Sequence, residues 1–138
     1  MSTRCNIAFY ENEEKGFEEF EALIYKHSDG YPDGVLPFLV PFVQKFLSVR
    51  GFDVEYLSAR ALQHFANETD KGLEEYRREQ GDEVETFEVL GFGICKDFHG
   101  DIEYLYCVYP DKIKVYSVPF DWADSKEDYK LEEEIETK

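Results

Sequence analysis

Two stretches of this 138-residue chain carry residue types able to do proton chemistry. One is His27-Ser28-Asp29-Gly30-Tyr31-Pro32-Asp33-Gly34, and the other is His99-Gly100-Asp101-Ile102-Glu103-Tyr104-Leu105-Tyr106. Each sets a His two residues before an Asp, with a Gly beside that Asp. In extended backbone, residues two apart share a face. Each Asp could then orient its His and stabilise the imidazolium, which suits a general acid or base. The candidate catalytic residues of a hydrolase-type enzyme are therefore His27, Asp29, His99 and Asp101. The same two pairs also make a donor set for a divalent metal. A structural reading stands beside the chemical one, and turn chemistry accounts for most of these letters. Asp29-Gly30 and Gly100-Asp101 are ordinary turn residues, Asp33 is a candidate helix cap, and either His could bond a turn backbone.

The signatures of common enzyme classes are absent. The sequence has no GxxxxGK[ST] phosphate loop, no GxGxxG after a strand, no HExxH and no GxSxG. No stretch matches an EF-hand loop despite the many acids. No cofactor is implied. The start of the helix after Pro32 could attract an anion, but Asp29 and Asp33 crowd it and only Lys26 opposes them, so a cation is the better-matched ligand there.

The elements that must position these residues follow from periodicity. Residues 4–10 alternate as a strand, with Cys5, Ile7 and Phe9 facing one way. An acidic stretch turns the chain into a second strand at 20–27, and the pair reads as a hairpin. Apolar spacing predicts a helix over 35–50, with Pro37 tolerated in its first turn and Pro41 a source of kinking. Gly51 ends it. Asp53 caps a second helix carrying Tyr56, Leu57, Ala61 and Phe65 on one stripe, with a possible interruption at 67–72 and a polar continuation over 73–80. Strands follow at 88–96, 102–109 and 113–118, joined by His99-Gly100-Asp101 and by a tight turn at Asp111-Lys112. The order is ββααβββ. The fold class is α+β, with an antiparallel sheet of about five strands and two or three helices packed on one face. Residues 1–122 form a single domain, and 123–138 are an acidic, partly frayed tail. Pro119 to Trp122 should pack on the domain, and deleting 130–138 should cost less than about 1 kcal/mol.

Whether the two His motifs meet depends on topology. If strand 20–27 leads to two antiparallel helices, the chain returns to the sheet end it left. The next strand then runs away from His27, and the His99 turn lies a strand length off, roughly 20 Å. A third helix, or a long traverse by 67–87, reverses that parity and brings the motifs together.

Charge narrows the partners. The net charge is −16, concentrated in residues 11–21, 67–88 and 121–138, which carry −5, −6 and −5. A basic footprint is missing, so direct nucleic-acid binding is not expected, and an anionic membrane surface is disfavoured for the same reason. The blocks read first as solvated connectors, and a mimic of a phosphate backbone is the alternative. The longest apolar run, Gly34 to Val43, is too short to span a bilayer, which takes about 20 residues. No charged-then-apolar leader opens the chain, so secretion is not expected. Cys5, Cys95 and Cys107 are an odd set with long spacings and no CxxC. They read as buried, reduced thiols of a cytoplasmic protein.

The motifs Arg4-Cys5-Asn6-Ile7, His27 to Gly34 and His99 to Tyr106 resemble a family of short uncharacterised proteins from prokaryotes and their phages. Members read RC-hydrophobic, then HSDGYP(D/E)G, then HGDIEYLY. The resemblance spans about residues 4–37 and 99–108, and is weak between them. It implies no activity. Two readings of function therefore stand. One is a small non-enzymatic binding or regulatory protein acting on a protein partner. The other is a hydrolase-type enzyme or metal-binding protein that uses the paired His-x-Asp motifs. The oligomeric state is open.

Overall fold

The computed structural model describes residues 3–81 and 91–138, apart from the side chains at 73 and 77. Strand β1 (Cys5–Phe9) pairs antiparallel with β2 (Ala22–Lys26), in register from Cys5 opposite Lys26 to Phe9 opposite Ala22. Two helices follow, α1 (Pro32–Arg50) and α2 (Val54–Gln80). The chain then makes β3 (Phe92–Ile94), β4 (Tyr104–Val108), β5 (Lys112–Ser117), a short α3 (Trp122–Ser125) and β6 (Lys130–Glu136). The sheet order is β3-β2-β1-β4-β5-β6.

The α+β class and the helices on one face agree with the sequence reading. The sheet departs from it in two respects. Among the described residues it has six strands, and it is mixed, because β4 runs parallel to β1, with Cys5 opposite Tyr104 and Phe9 opposite Val108. A hairpin through His99-Gly100-Asp101 would have made β3 and β4 neighbours. Instead β4 inserts beside β1 because its residues Tyr104 to Val108 are apolar on both sides, and only a central position buries both. Residues 88–90 of the expected strand lie outside the described residues.

β1 is buried throughout and divides two apolar layers. Cys5, Ile7 and Phe9 face the helices with Val35, Leu39 and Val43 of α1 and Leu57, Ala61 and Phe65 of α2. Ala8 and Tyr10 face the other way, with Leu23, Leu105, Cys107, Phe98, Ile102 and Trp122. Among the described residues, this second layer has no long helix. It is built from connections that fold over the sheet, which is why so many aromatics are needed in them. Phe17 sits at its centre, edge-on to Trp122 at 5.3 Å, to Tyr116 at 5.4 Å and to Tyr129 at 5.0 Å.

α1 begins at Pro32 rather than at 35, because proline at the first helical position lacks only an N–H that would be unbonded there. Asp33 is therefore in the first turn, where its charge complements the helix dipole, and is not the cap. The helix runs through Pro37 and Pro41. Gly51 closes it at φ 81°, a left-handed value that suits glycine. Asp53 accepts from the Tyr56 backbone N–H at 3.4 Å, as expected of a cap. α2 is continuous through 67–72, so the anticipated interruption does not occur.

The tail is the largest correction. Residues 130–136 form β6, paired antiparallel with β5 from Lys112 opposite Glu136 to Ser117 opposite Lys130. Ile135 packs against the helix-side core and Thr137 is buried, its N–H bonded to the Asp111 carbonyl at 3.0 Å. Acidic composition does not prevent this, since an edge strand gains backbone hydrogen bonds and needs only one buried face. Deleting 130–138 should therefore cost more than about 2 kcal/mol in urea unfolding, and Ile135→Ala about 1–2 kcal/mol, less than for a fully enclosed Ile. A loss below about 1 kcal/mol on deletion would return the tail to a solubilising appendage.

Candidate functional site

The loop from Lys26 to Gly34 is built by backbone contacts more than by its ionisable side chains. Lys26 ends β2 and is only 7% exposed, on the helix side. Its Nζ donates to the carbonyls of Ser28 and Asp29, which ties the loop down. Burial pushes the Lys26 ammonium below the ordinary lysine range. Asp29 is left-handed, at φ 55°. A Cβ on Gly34 would stand 2.3 Å from the Asp29 carbonyl oxygen, and one on Gly30 would stand 2.9 Å from Cys5 Cβ. Both glycines are thus required by close approach. Tyr106, deep in β4, donates its hydroxyl to the Gly30 carbonyl at 2.7 Å, fastening this loop to the centre of the sheet.

The turn at Asp29 breaks the alternation that would have put His27 and Asp29 on one face. Asp29 Oδ1 lies 3.5 Å from the Tyr31 hydroxyl, and the residue lines a cavity on the helix side. His27 lines a different cavity, beside β3. The expected His27–Asp29 pair is not formed.

The two His motifs nevertheless come together. β3 does run antiparallel to β2, away from His27. Residues 95–103 then recross the sheet to reach the start of β4, and so bring His99 and Asp101 back to the His27 end. Asn6, fully buried in β1, pins this return segment. Its Oδ1 accepts from the His99 backbone N–H at 3.0 Å, while its Nδ2 donates to the Ile24 carbonyl at 3.0 Å and to Cys95 Sγ at 3.7 Å. The Glu103 N–H donates to the Arg4 carbonyl at 2.9 Å, completing the approach.

Tyr25 is the centrepiece of the result. The His99 ring stacks on it with centroids 3.8 Å apart and planes at 14°. Its hydroxyl lies 2.8 Å from His27 Nδ1, and Arg4 Nε lies 3.3 Å from the same nitrogen. Arg4 Nε–H points at this nitrogen, and a hydroxyl, which can donate or accept, completes the contact. Arg4 Nε also lies 3.1 Å from Asp101 Oδ2. Asp101 Oδ1 is 4.0 Å from His99 Nδ1, too long for a hydrogen bond. Arg4 and Asp101 are each about one-third to two-fifths exposed, so this is a surface cluster with water access. The adjoining cavity, about 640 Å³, is lined by Tyr25, His27, Ile94, Cys95, Lys96 and His99 among others. Gly91 allows its wall to form, because a Cβ there would stand 2.9 Å from His27 Cβ.

Of the four sequence candidates, His27, His99 and Asp101 are gathered and Asp29 is not. Arg4, Asn6 and Tyr25 are the residues of this cluster that sequence reasoning missed. Tyr25 was readable as the same-face neighbour of His27 in a strand, and Arg4 and Asn6 belong to the Arg4-Cys5-Asn6-Ile7 motif. Among the described residues, no group of three or more His, Cys, Asp or Glu could hold a metal ion. The cysteines are free. Burial pushes the Cys5 and Cys107 thiols up to about 12, whereas Cys95 is only partly buried, with its thiol raised less by the same cause. No family model, no curated protein and no solved structure matches this chain.

Replacing Asn6 by Ala should cost about 1–3 kcal/mol, as for other buried hydrogen-bonding groups, and should move the His99 ring signals in NMR spectra as the stack on Tyr25 loosens. Unmoved His99 resonances would mean that Asn6 does not position this segment. A thiol reagent applied to the folded protein should label Cys95 first, with Cys5 and Cys107 reacting only on unfolding. Early labelling of Cys5 or Cys107 would contradict their burial.

Proposed function

We propose that this chain is a small non-enzymatic binding protein, cytoplasmic and of prokaryotic or phage origin, that regulates a protein partner by docking through the surface around Arg4, Tyr25, His27 and His99. The observation that supports this reading is pre-organisation. Arg and Tyr are residue types enriched at binding hot spots, and here each is held in place by a neighbour before any partner arrives. Tyr25 is clamped between His99 and His27, and Arg4 is held by Asp101. Ile94, 79% exposed, supplies an apolar anchor beside them, with Lys96 and Asp97 as a polar rim.

The hydrolase or metal reading has weaker support. Asp29 does not join the other three residues. The Cys95 thiol that lines the cavity is raised by burial, the opposite of what a nucleophile needs. His99 and Asp101 are too far apart to act as a bonded pair. The acidic-mimic version is weakened because Glu13, in the first acidic block, is bound to Lys112 and Lys114, which also hold its carboxyl below the usual range.

The test uses immobilised wild-type protein and Ile94→Asp, a change at an exposed site that leaves the fold intact. The wild type should retain a stoichiometric partner from cell lysate. With the purified partner, Ile94→Asp should weaken affinity about tenfold or more, as for a hot-spot residue. Failure to retain any partner in repeated trials, or equal affinity for both forms, would sink the proposal.

A further inference from the structure

The opposite side of β2 carries a second cavity, separate from the docking surface. It has a volume of about 520 Å³, within the range of small-molecule sites. Its walls come from the 27–34 loop, the start of α1 and the middle of α2. On α2 the lining residues are Phe65, Glu68, Thr69, Gly72 and Tyr76, which recur at helical spacing along one face. Phe38 of α1 and Tyr31 of the loop complete the aromatic wall. The Phe38 and Phe65 rings lie 6.4 Å apart with planes inclined at 59°, so they form the two sides of a corner. Tyr31, Phe38 and Tyr76 are 42%, 40% and 61% exposed, so much aromatic surface faces the opening.

Gly72 is the unexpected residue. Glycine inside a helix is unfavourable, yet it sits well within the 27-residue α2. A Cβ there would meet nothing within 4 Å. Packing against the protein therefore does not demand a glycine, and what its small size provides is room in the cavity.

We propose that this cavity binds an organic cation, a methylated ammonium group, either free or carried on a lysine side chain of a partner. Aromatic faces attract such cations, and the weak hydration of a methylated ammonium lowers the cost of bringing it to them. Asp29 and Glu68 supply carboxylates at the wall, the second within 3.8 Å of the exposed Lys71 ammonium. Lys26 also lines the cavity, but its ammonium is engaged by the Ser28 and Asp29 carbonyls and lies 5.6 Å from the Phe92 ring centroid. An anion would face both carboxylates and a chain of net charge −16.

The full chain is titrated with choline, with its neutral carbon analogue 3,3-dimethyl-1-butanol, and with a short peptide bearing trimethyllysine, each followed by NMR shifts of aromatic ring protons. Choline or the peptide should give saturable shifts, and the neutral analogue should bind about tenfold more weakly than choline. Gly72→Leu, which favours the helix and fills the space, should abolish binding without loss of fold, and Glu68→Gln should weaken it severalfold. Tighter binding of the peptide than of choline assigns the ligand to a partner protein, and the reverse assigns it to a free metabolite. Equal binding of the neutral analogue, undiminished binding by Gly72→Leu, or no saturable shift from either cation overturns the proposal.

Discussion

A buried amide in the central strand must find partners, and the rest of this structure is arranged around how it does so. Asn6 is fully enclosed between β2 and β4, where an unmet hydrogen bond would cost about 1–3 kcal/mol. Its side chain bonds β2 on one side and the 95–99 segment on the other. That second contact holds the return segment over the sheet. With the segment so placed, Phe98 and Ile102 can fill the layer beneath it, and β4 can enter beside β1 in parallel. β3 and β4 run the same way with β2 and β1 between them, and residues 95–103 make the crossover without a helix.

The same arrangement gives the two faces of β2 different structural roles. Alternation along it sends Tyr25 to the face crossed by the return segment and Lys26 to the helix face. Tyr25 organises an aromatic and imidazole surface. Lys26 instead secures the loop that forms one wall of the helix-side cavity. The glycines and the left-handed Asp29 let that loop lie close to β1 and α1, so its residues serve geometry first.

Electrostatics play a lesser part in the fold, although the chain is strongly acidic. The acids near the sheet are placed against its few lysines. Glu13 and Glu134 share Lys114, and Glu18 meets Lys126. These pairs are at the surface and weak singly. Their effect is to relieve repulsion where β6 and the 10–21 connection lie on β5. Lys114, between two carboxylates, makes an acidic edge strand compatible with its neighbour.

Local chemistry made much of this legible in advance. The α+β class, the β1–β2 hairpin, the Asp53 cap, the Gly51 stop and the tight turn before β5 all depend on residues close together in sequence. His27, His99 and Asp101 were visible as chemistry-bearing residues for the same reason. What the sequence could not determine was long-range. The parallel insertion of β4, the docking of Lys130–Glu136 as β6 and the convergence of the two His motifs depend on which surfaces bury one another. A two-residue repeat shows that a strand has two faces, but not which strands lie beside it. Helix parity left two arrangements open, and with two helices β3 does run antiparallel to β2, yet the motifs met because a non-helical segment recrossed the sheet. Asp29 was assigned to the wrong partner because one left-handed residue reverses a face, and only the close approach of Gly30 to Cys5 and of Gly34 to the Asp29 carbonyl imposes that turn.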